Sequence, residues 1–200
     1  MTNQPILAFD CATIGGSVAV MCNGSIVSRR IGQTAQAAEL LPAIDGLLRE
    51  ADISYHAISC IISTVGPGSF TGVRIGLAAL HGLVLVHHTP IKMLTTLEAM
   101  AWAVAQTPHA PDEFFIALRA GKGELYSQRF SANCGLPNAM GDISLVPETL
   151  TQWGAPCFGN HLAPENASFI DGADATALCA IAHHLPLTPL SEAMPLYIRA

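Results

Sequence analysis

The sequence predicts an α/β protein of two unequal lobes, built on mixed sheets flanked by helices. Three observations carry that expectation. The stretch from Ile58 to His88 reads as a short buried strand, a glycine turn and a long apolar helix. The chain opens with three strand-like runs, the last two joined by Asn23-Gly24, the strongest short-range hairpin signal. Two hundred residues, 50% of them apolar, are ample for one large core or two small ones.

Taken in order, Ile6 to Phe9 is an apolar run ending at Asp10, and Ser17 to Met21 and Ser25 to Arg30 complete an antiparallel meander. Thr34 to Ala51 places Leu40, Leu41, Ile44, Leu47, Leu48 and Ala51 at helical spacing. Pro42 lies inside that stripe and removes a backbone donor, so the helix starts near it or bends there. The strand from Ile58 to Thr64 is broken by Gly66-Pro67-Gly68-Ser69. The residues from Val73 to Val86 then stay apolar almost all the way round, with Arg74 as the only charge. A helix with no polar face requires cover on every side, from its own domain or from a partner. Gly72 and Gly76, four apart, would leave a notch on it where another backbone can approach.

Pro90 to Met93 is a short strand, and Thr95-Thr96-Leu97-Glu98 has the pattern of a capping box opening a helix to about Gln106. Pro108 to Pro111 is polar and proline-bounded, which divides the chain into a first lobe, 1–108, and a smaller second lobe, 109–200. Phe114 to Leu118 and Glu124 to Phe130 read as strands around the turn Ala120 to Gly123, where Arg119 can pair with Glu124. Beyond Ser131 the pattern loosens, apart from a glycine turn within Pro156 to His161 and an amphipathic helix within Ala173 to Leu185. No internal repeat is visible.

The candidate chemistry is sparse. Gly66 and Gly72 have five residues between them and Val73-Arg74 follows, so the turn is not a Walker loop. Thr71 stands where the third glycine of a dinucleotide fingerprint belongs. Backbone N–H groups at the helix start could still receive a phosphate. Asp10, closing the first strand ahead of a turn and hairpin, is where actin-like and sugar-kinase-like ATPases carry the acid that positions a metal-nucleotide. With Gly66, Gly68 and Ser69 it makes a candidate nucleotide site in vestigial form. The plainer reading of Asp10 is a turn residue capping its own backbone.

Eight histidines show no H-E-x-x-H, and six cysteines show no C-x-x-C and no metal-like spacing. Ser69 and Thr71 have no neighbouring base. Hence no catalytic set and no metal set is expected. Nine basic against fifteen acidic residues give a net charge of −6 without a basic stripe, which argues against tight nucleic-acid binding by this chain alone. The N-terminus has no basic region followed by an apolar run, and the longest apolar helix falls short of the ~20 residues a bilayer requires. Free thiols in apolar runs fit the cytoplasm.

Gly66 to Ala78, reading GPGSFTGVRIGLA, closely resembles the signature of the TsaB family, also called YeaZ. Leu40-Leu41-Pro42 with Glu39, the stretch Gly123-Glu124-Leu125-Tyr126 and the tail Pro195 to Arg199 are also similar to that family. It departs at Arg119 and Gly121, which stand where the family has an acid and an arginine. The resemblance implies an actin-like (sugar-kinase-like) two-lobe fold with a reduced second lobe. It also implies a non-catalytic scaffold that dimerises with a TsaD-like catalytic subunit. That subunit attaches threonylcarbamoyl to N6 of adenosine 37 in tRNA, in a complex that uses ATP and includes a TsaE-like ATPase; tRNA is met only through the complex. The interface it implies is Leu41, Ile44 and Leu48 with Phe70, Arg74, Ile75 and Ala78. An exposed apolar face would also suit a homodimer. The alternatives are an actin-fold nucleotide hydrolase or kinase using Asp10, and a glycoprotease-like peptidase, a label relatives of the fold have carried.

Overall fold

The computed structural model describes residues 4–13, 15–133, 135–150, 152–160, 167–169 and 172–198, so Met1, Thr2, Asn3, Cys134, His161 and Arg199 lie outside the described residues. Strands β1 (Ile6–Asp10), β2 (Gly16–Cys22) and β3 (Ser25–Ile31) form the expected meander. Helix α1 (Gln36–Glu50) continues through Pro42, which sits on its exposed side. Strand β4 (Cys60–Thr64), helix α2 (Phe70–His87), strand β5 (Ile91–Leu94) and helix α3 (Thr96–Ala105) follow. The first sheet has the order β3-β2-β1-β4-β5, antiparallel through the meander and parallel from β1 to β4 and β5.

The second sheet is built from β6 (Glu113–Gly121), β7 (Glu124–Asn133), β8 (Leu136–Pro147), β9 (Cys157–Gly159) and β10 (Ala167–Phe169). Its order, β10-β9-β6-β7-β8, is that of the first sheet: a meander of three, then two strands added in parallel beside its first member. Two such mixed sheets with their helices make the α/β architecture that the sequence predicts. The short helix α4 (Ala175–Ile181) returns from the second half of the chain to pack on β1 and β2.

Alternation along the strands decides which helix covers which face. Leu7, Phe9 and Ile61 point to the side packed by α1 and α2, through Leu40, Ile44, Leu47, Val73, Leu77 and Leu80. Ile6, Ala8, Cys60 and Ile62 point to the other side, against Ala99 and Trp102 of α3 and Leu178 and Cys179 of α4. Other side chains of α3, Leu97, Met100 and Val104, pack on Phe114, Ile116 and Phe130 of the second sheet. The expected capping box opens this helix: Thr95 N–H donates to Glu98 Oε2 at 2.7 Å and Glu98 N–H to Thr95 Oγ1 at 3.1 Å.

A strap of residues 186–198 finishes the described chain. Thr188 bridges Ile91 at the edge of β5, Ala193 is buried beside α2, and Leu196 N–H donates to Val65 O at 2.8 Å.

Candidate functional site

Asp10 ends β1 fully buried. Its carboxylate accepts from the N–H groups of Ala12 (3.2 Å) and Thr13 (3.3 Å), the Thr13 hydroxyl (2.8 Å) and the Thr64 hydroxyl of β4. Burial pushes its carboxyl pKa above the usual value, against the opposing pull of the bonds from Thr64, Thr13 and Ala12. All four donors belong to the chain itself, so Asp10 fastens the loop at 11–13 in the way a turn-capping acid does.

That loop receives the glycine turn. Ser69 N–H donates to Ala12 O at 2.7 Å. A Cβ at Gly68 would lie 2.1 Å from Ala12 O, and one at Gly72 only 1.9 Å from Cys11 O. The signature glycines therefore serve backbone-to-backbone contact. The notch expected at Gly72 and Gly76 is filled by the chain's own residues, because Gly76 also faces Cys11 and Ser63. Ser69 Oγ accepts from Gly72 N–H at 3.1 Å and caps α2. The structure thus brings Asp10, Gly66, Gly68 and Ser69 into one neighbourhood, with Asp10 and Ser69 already bonded to it.

Beside the turn, a cavity of about 400 Å³ opens between the two sheets, with Thr13, Gln36, Ser69, Arg119, Asn160 and Tyr197 in its walls. No acidic side chain lines it among the described residues. Gln36 Nε2 donates to Cys11 O (3.1 Å) and to Gly15 O, and Arg119 N–H donates to Asn160 Oδ1 at 3.2 Å. Arg119 pairs with Glu148 at 3.2 Å, not with Glu124; Glu148, just past the end of β8, is held at the β6–β7 turn by its N–H donating to Gly123 O. Polar and apolar groups share the described walls about equally.

Other nucleophiles are equally engaged. Burial pushes the thiols of Cys11, Cys157 and Cys179 up to about 12 and that of Cys60 to about 11, far from thiolate at neutral pH. The five described cysteines are free. His81 Nε2 lies 2.9 Å from Ala193 O, His87 stacks on Tyr55, and His184 packs on Trp102. No group of three or more histidine, cysteine or acidic side chains could hold a metal among the described residues.

The second surface is the outward side of α2. Of the residues expected at an interface, Ile44 and Leu48 are buried against the sheet and offer no surface, because the inner stripe of α1 is needed to cover β2 and β3. Leu41 is 50% and Phe70 59% exposed, Arg74 and Ala78 are exposed, and Ile75 is half-buried. The bare strip continues through Gly82 to Leu85 and Val86, each 68% exposed. Those last three were missed in the sequence, although the i, i+4 series 70, 74, 78, 82, 86 is visible in it. The open small-residue notch is Ala78/Gly82: a Cβ at Gly82 would meet nothing within 4 Å. By length and composition α2 alone among the described helices could cross a membrane, but here Val73, Leu77, Leu80 and Leu83 seat it on the sheet.

Comparison with known proteins agrees with this architecture. A solved YeaZ from Pseudomonas aeruginosa superposes with a TM-score of 0.82 at 23% identity, covering 98% of this chain and all of that one. The TsaB tRNA threonylcarbamoyladenosine biosynthesis protein of Haemophilus influenzae is 31% identical over 127 residues, 63% of this chain and 53% of that protein. Its Escherichia coli counterpart is 33% identical over 122 residues, 60% and 52% respectively, so the chain spans about half the length of the curated relatives it matches. Residues 30–164 match the family model described as TsaD, tRNA N6-adenosine threonylcarbamoyltransferase. The chain therefore belongs to the family that this model describes, and within it stands with the TsaB (YeaZ) proteins.

Proposed function

We propose that this chain acts in tRNA threonylcarbamoyladenosine biosynthesis as a non-catalytic docking subunit. Its partner is a TsaD-like protein that transfers threonylcarbamoyl to N6 of adenosine 37. The observation that carries the reading is the strip on α2, apolar except for Thr71 and Arg74, left bare along an 18-residue helix. Apolar ground of that extent on one helix is what a helix-on-helix interface covers. Support for a non-catalytic role comes from Asp10, whose carboxylate is spent on its own loop, in a cleft whose described lining carries no acidic side chain. The net charge of −6 supports contact with tRNA through the partner. ATP turnover then belongs to the complex and to a TsaE-like ATPase. The same strip would hold two copies of this chain together when the partner is absent. The free cysteines fit a cytoplasmic setting.

The test is co-purification of this chain with the TsaD-like protein of the same organism, followed by a modification assay on unmodified tRNA. A complex that modifies tRNA only when both chains are present is expected. Ala78→Arg, on the bare strip, is expected to abolish the complex with the circular dichroism spectrum unchanged. Nucleotide turnover by this chain alone, lost in Asp10→Ala, would overturn the reading in favour of a hydrolase or kinase.

A further inference from the structure

Arg74 is the one charge on the bare side of α2, and it has no carboxylate partner among the described residues. Its guanidinium carbon lies 3.5 Å from the centroid of the Phe70 ring and 5.7 Å from that of Tyr197. Arg74 Nε donates to Tyr197 Oη at 3.1 Å. Tyr197 is held in turn by the strap, which is tied at three places. Thr188 N–H donates to Ile91 O at 2.8 Å, Ala193 O meets His81 Nε2 at 2.9 Å, and Leu196 N–H donates to Val65 O at 2.8 Å. A side chain that ordinarily loses much rotamer freedom on binding is thus already held by two rings, one of which also accepts its Nε–H.

Nε is taken, while neither Nη1 nor Nη2 has an acceptor among the described residues. A fixed, always-charged fork set in apolar ground suits bidentate recognition of a carboxylate. An apolar partner surface laid over it would bury an uncompensated charge.

We infer that the docking partner presents an aspartate or glutamate to Arg74, and that the C-terminal strap, through Tyr197, is the positioning element of that contact. The inference rests on the docking reading above and names the chemistry the partner brings to it. The strap is part of the interface although it lies more than a hundred residues from α2 in the chain.

The test titrates the TsaD-like partner into the full chain at low and high salt, and follows the Arg74 Nε–H resonance of the free chain by NMR. Arg74→Glu is expected to weaken binding by about 100-fold or more, and Arg74→Lys by about 10-fold because the fork is lost. Tyr197→Phe keeps the ring but removes the acceptor; a loss of about 3-fold is expected, with the Arg74 signal moving to that of a freely exposed arginine. One acidic residue of the partner, replaced by alanine, is expected to couple to Arg74 in a double-mutant cycle. Tight binding that is indifferent to Arg74→Glu would overturn the inference and leave docking intact. An unmoved Arg74 resonance in Tyr197→Phe would overturn the role of the strap alone. A wild-type chain that binds no partner would overturn the docking reading, and this inference with it.

Discussion

Helices α2 and α3 are both apolar nearly all the way round in sequence, yet the fold treats them in opposite ways. Helix α3 lies between the two sheets, with Ala99 and Trp102 on the first and Leu97, Met100 and Val104 on the second. Helix α2 covers one sheet only, and its far side, from Phe70 to Val86, faces solvent. The difference teaches that an all-apolar helix states a need for cover without saying who supplies it. For α3 the second sheet supplies it. For α2 nothing within the described chain does, and that is the physical case for a partner.

The contrast can be broken in several places. The largest effect is expected from Gly72→Ala, whose methyl would drive into Cys11 O; the chain should lose more than about 4 kcal/mol or fail to fold, as read by urea unfolding. Leu97→Ala, in the fully covered helix, is expected to cost about 3 kcal/mol, whereas Leu85→Ala on the bare strip should stay within about 0.5 kcal/mol. Equal losses at the two leucines would erase the distinction between the helices.

Asp10 sharpens the same comparison, since it fastens the loop on which the α2 N-terminus sits. Asp10→Ala leaves four donors without their acceptor and is expected to cost about 3 kcal/mol. The pH dependence carries a definite sign. The folded-state pKa is raised above the ordinary 3.8, so between those two values the folded chain keeps a proton that the unfolded chain releases. The contribution of Asp10 is full below that window and is lost as pH rises through the folded value. Urea midpoints should show this slope in the wild type and not in Asp10→Asn. The smallest change expected is at Gly82, where alanine meets open space; Gly82→Ala should raise stability by up to about 1 kcal/mol while partly filling the Ala78/Gly82 notch.

The two sheets show where the sequence becomes illegible. Strands β1 and β4 are buried on both faces, so their side chains form continuous apolar runs that can be read directly. Strand β8 runs from Leu136 to Pro147 at an edge, with most of its side chains exposed and Leu136 and Met140 among them. No apolar period marks it, and β9 and β10 are three residues each, too short to carry one. The repeated strand order of the two sheets is likewise invisible, because it resides in pairing and not in residue identity.

At the site the division has the same cause. The signature turn, the capping box at Thr95 and the caution over Asp10 could all be reached from residue type and spacing, since each is a local device of a few residues. Which glycines face inward, that Ile44 and Leu48 belong to the core, and that Tyr197 steadies Arg74 could not. The sequence by itself determined the family, the α/β class and the apolar helix that needs covering, because hydrophobic period and turn chemistry act over neighbouring residues. Only the tertiary structure decided which side of that helix stays bare and what stands beside it. Burial and the meeting of distant segments are properties of packing, which no local pattern specifies.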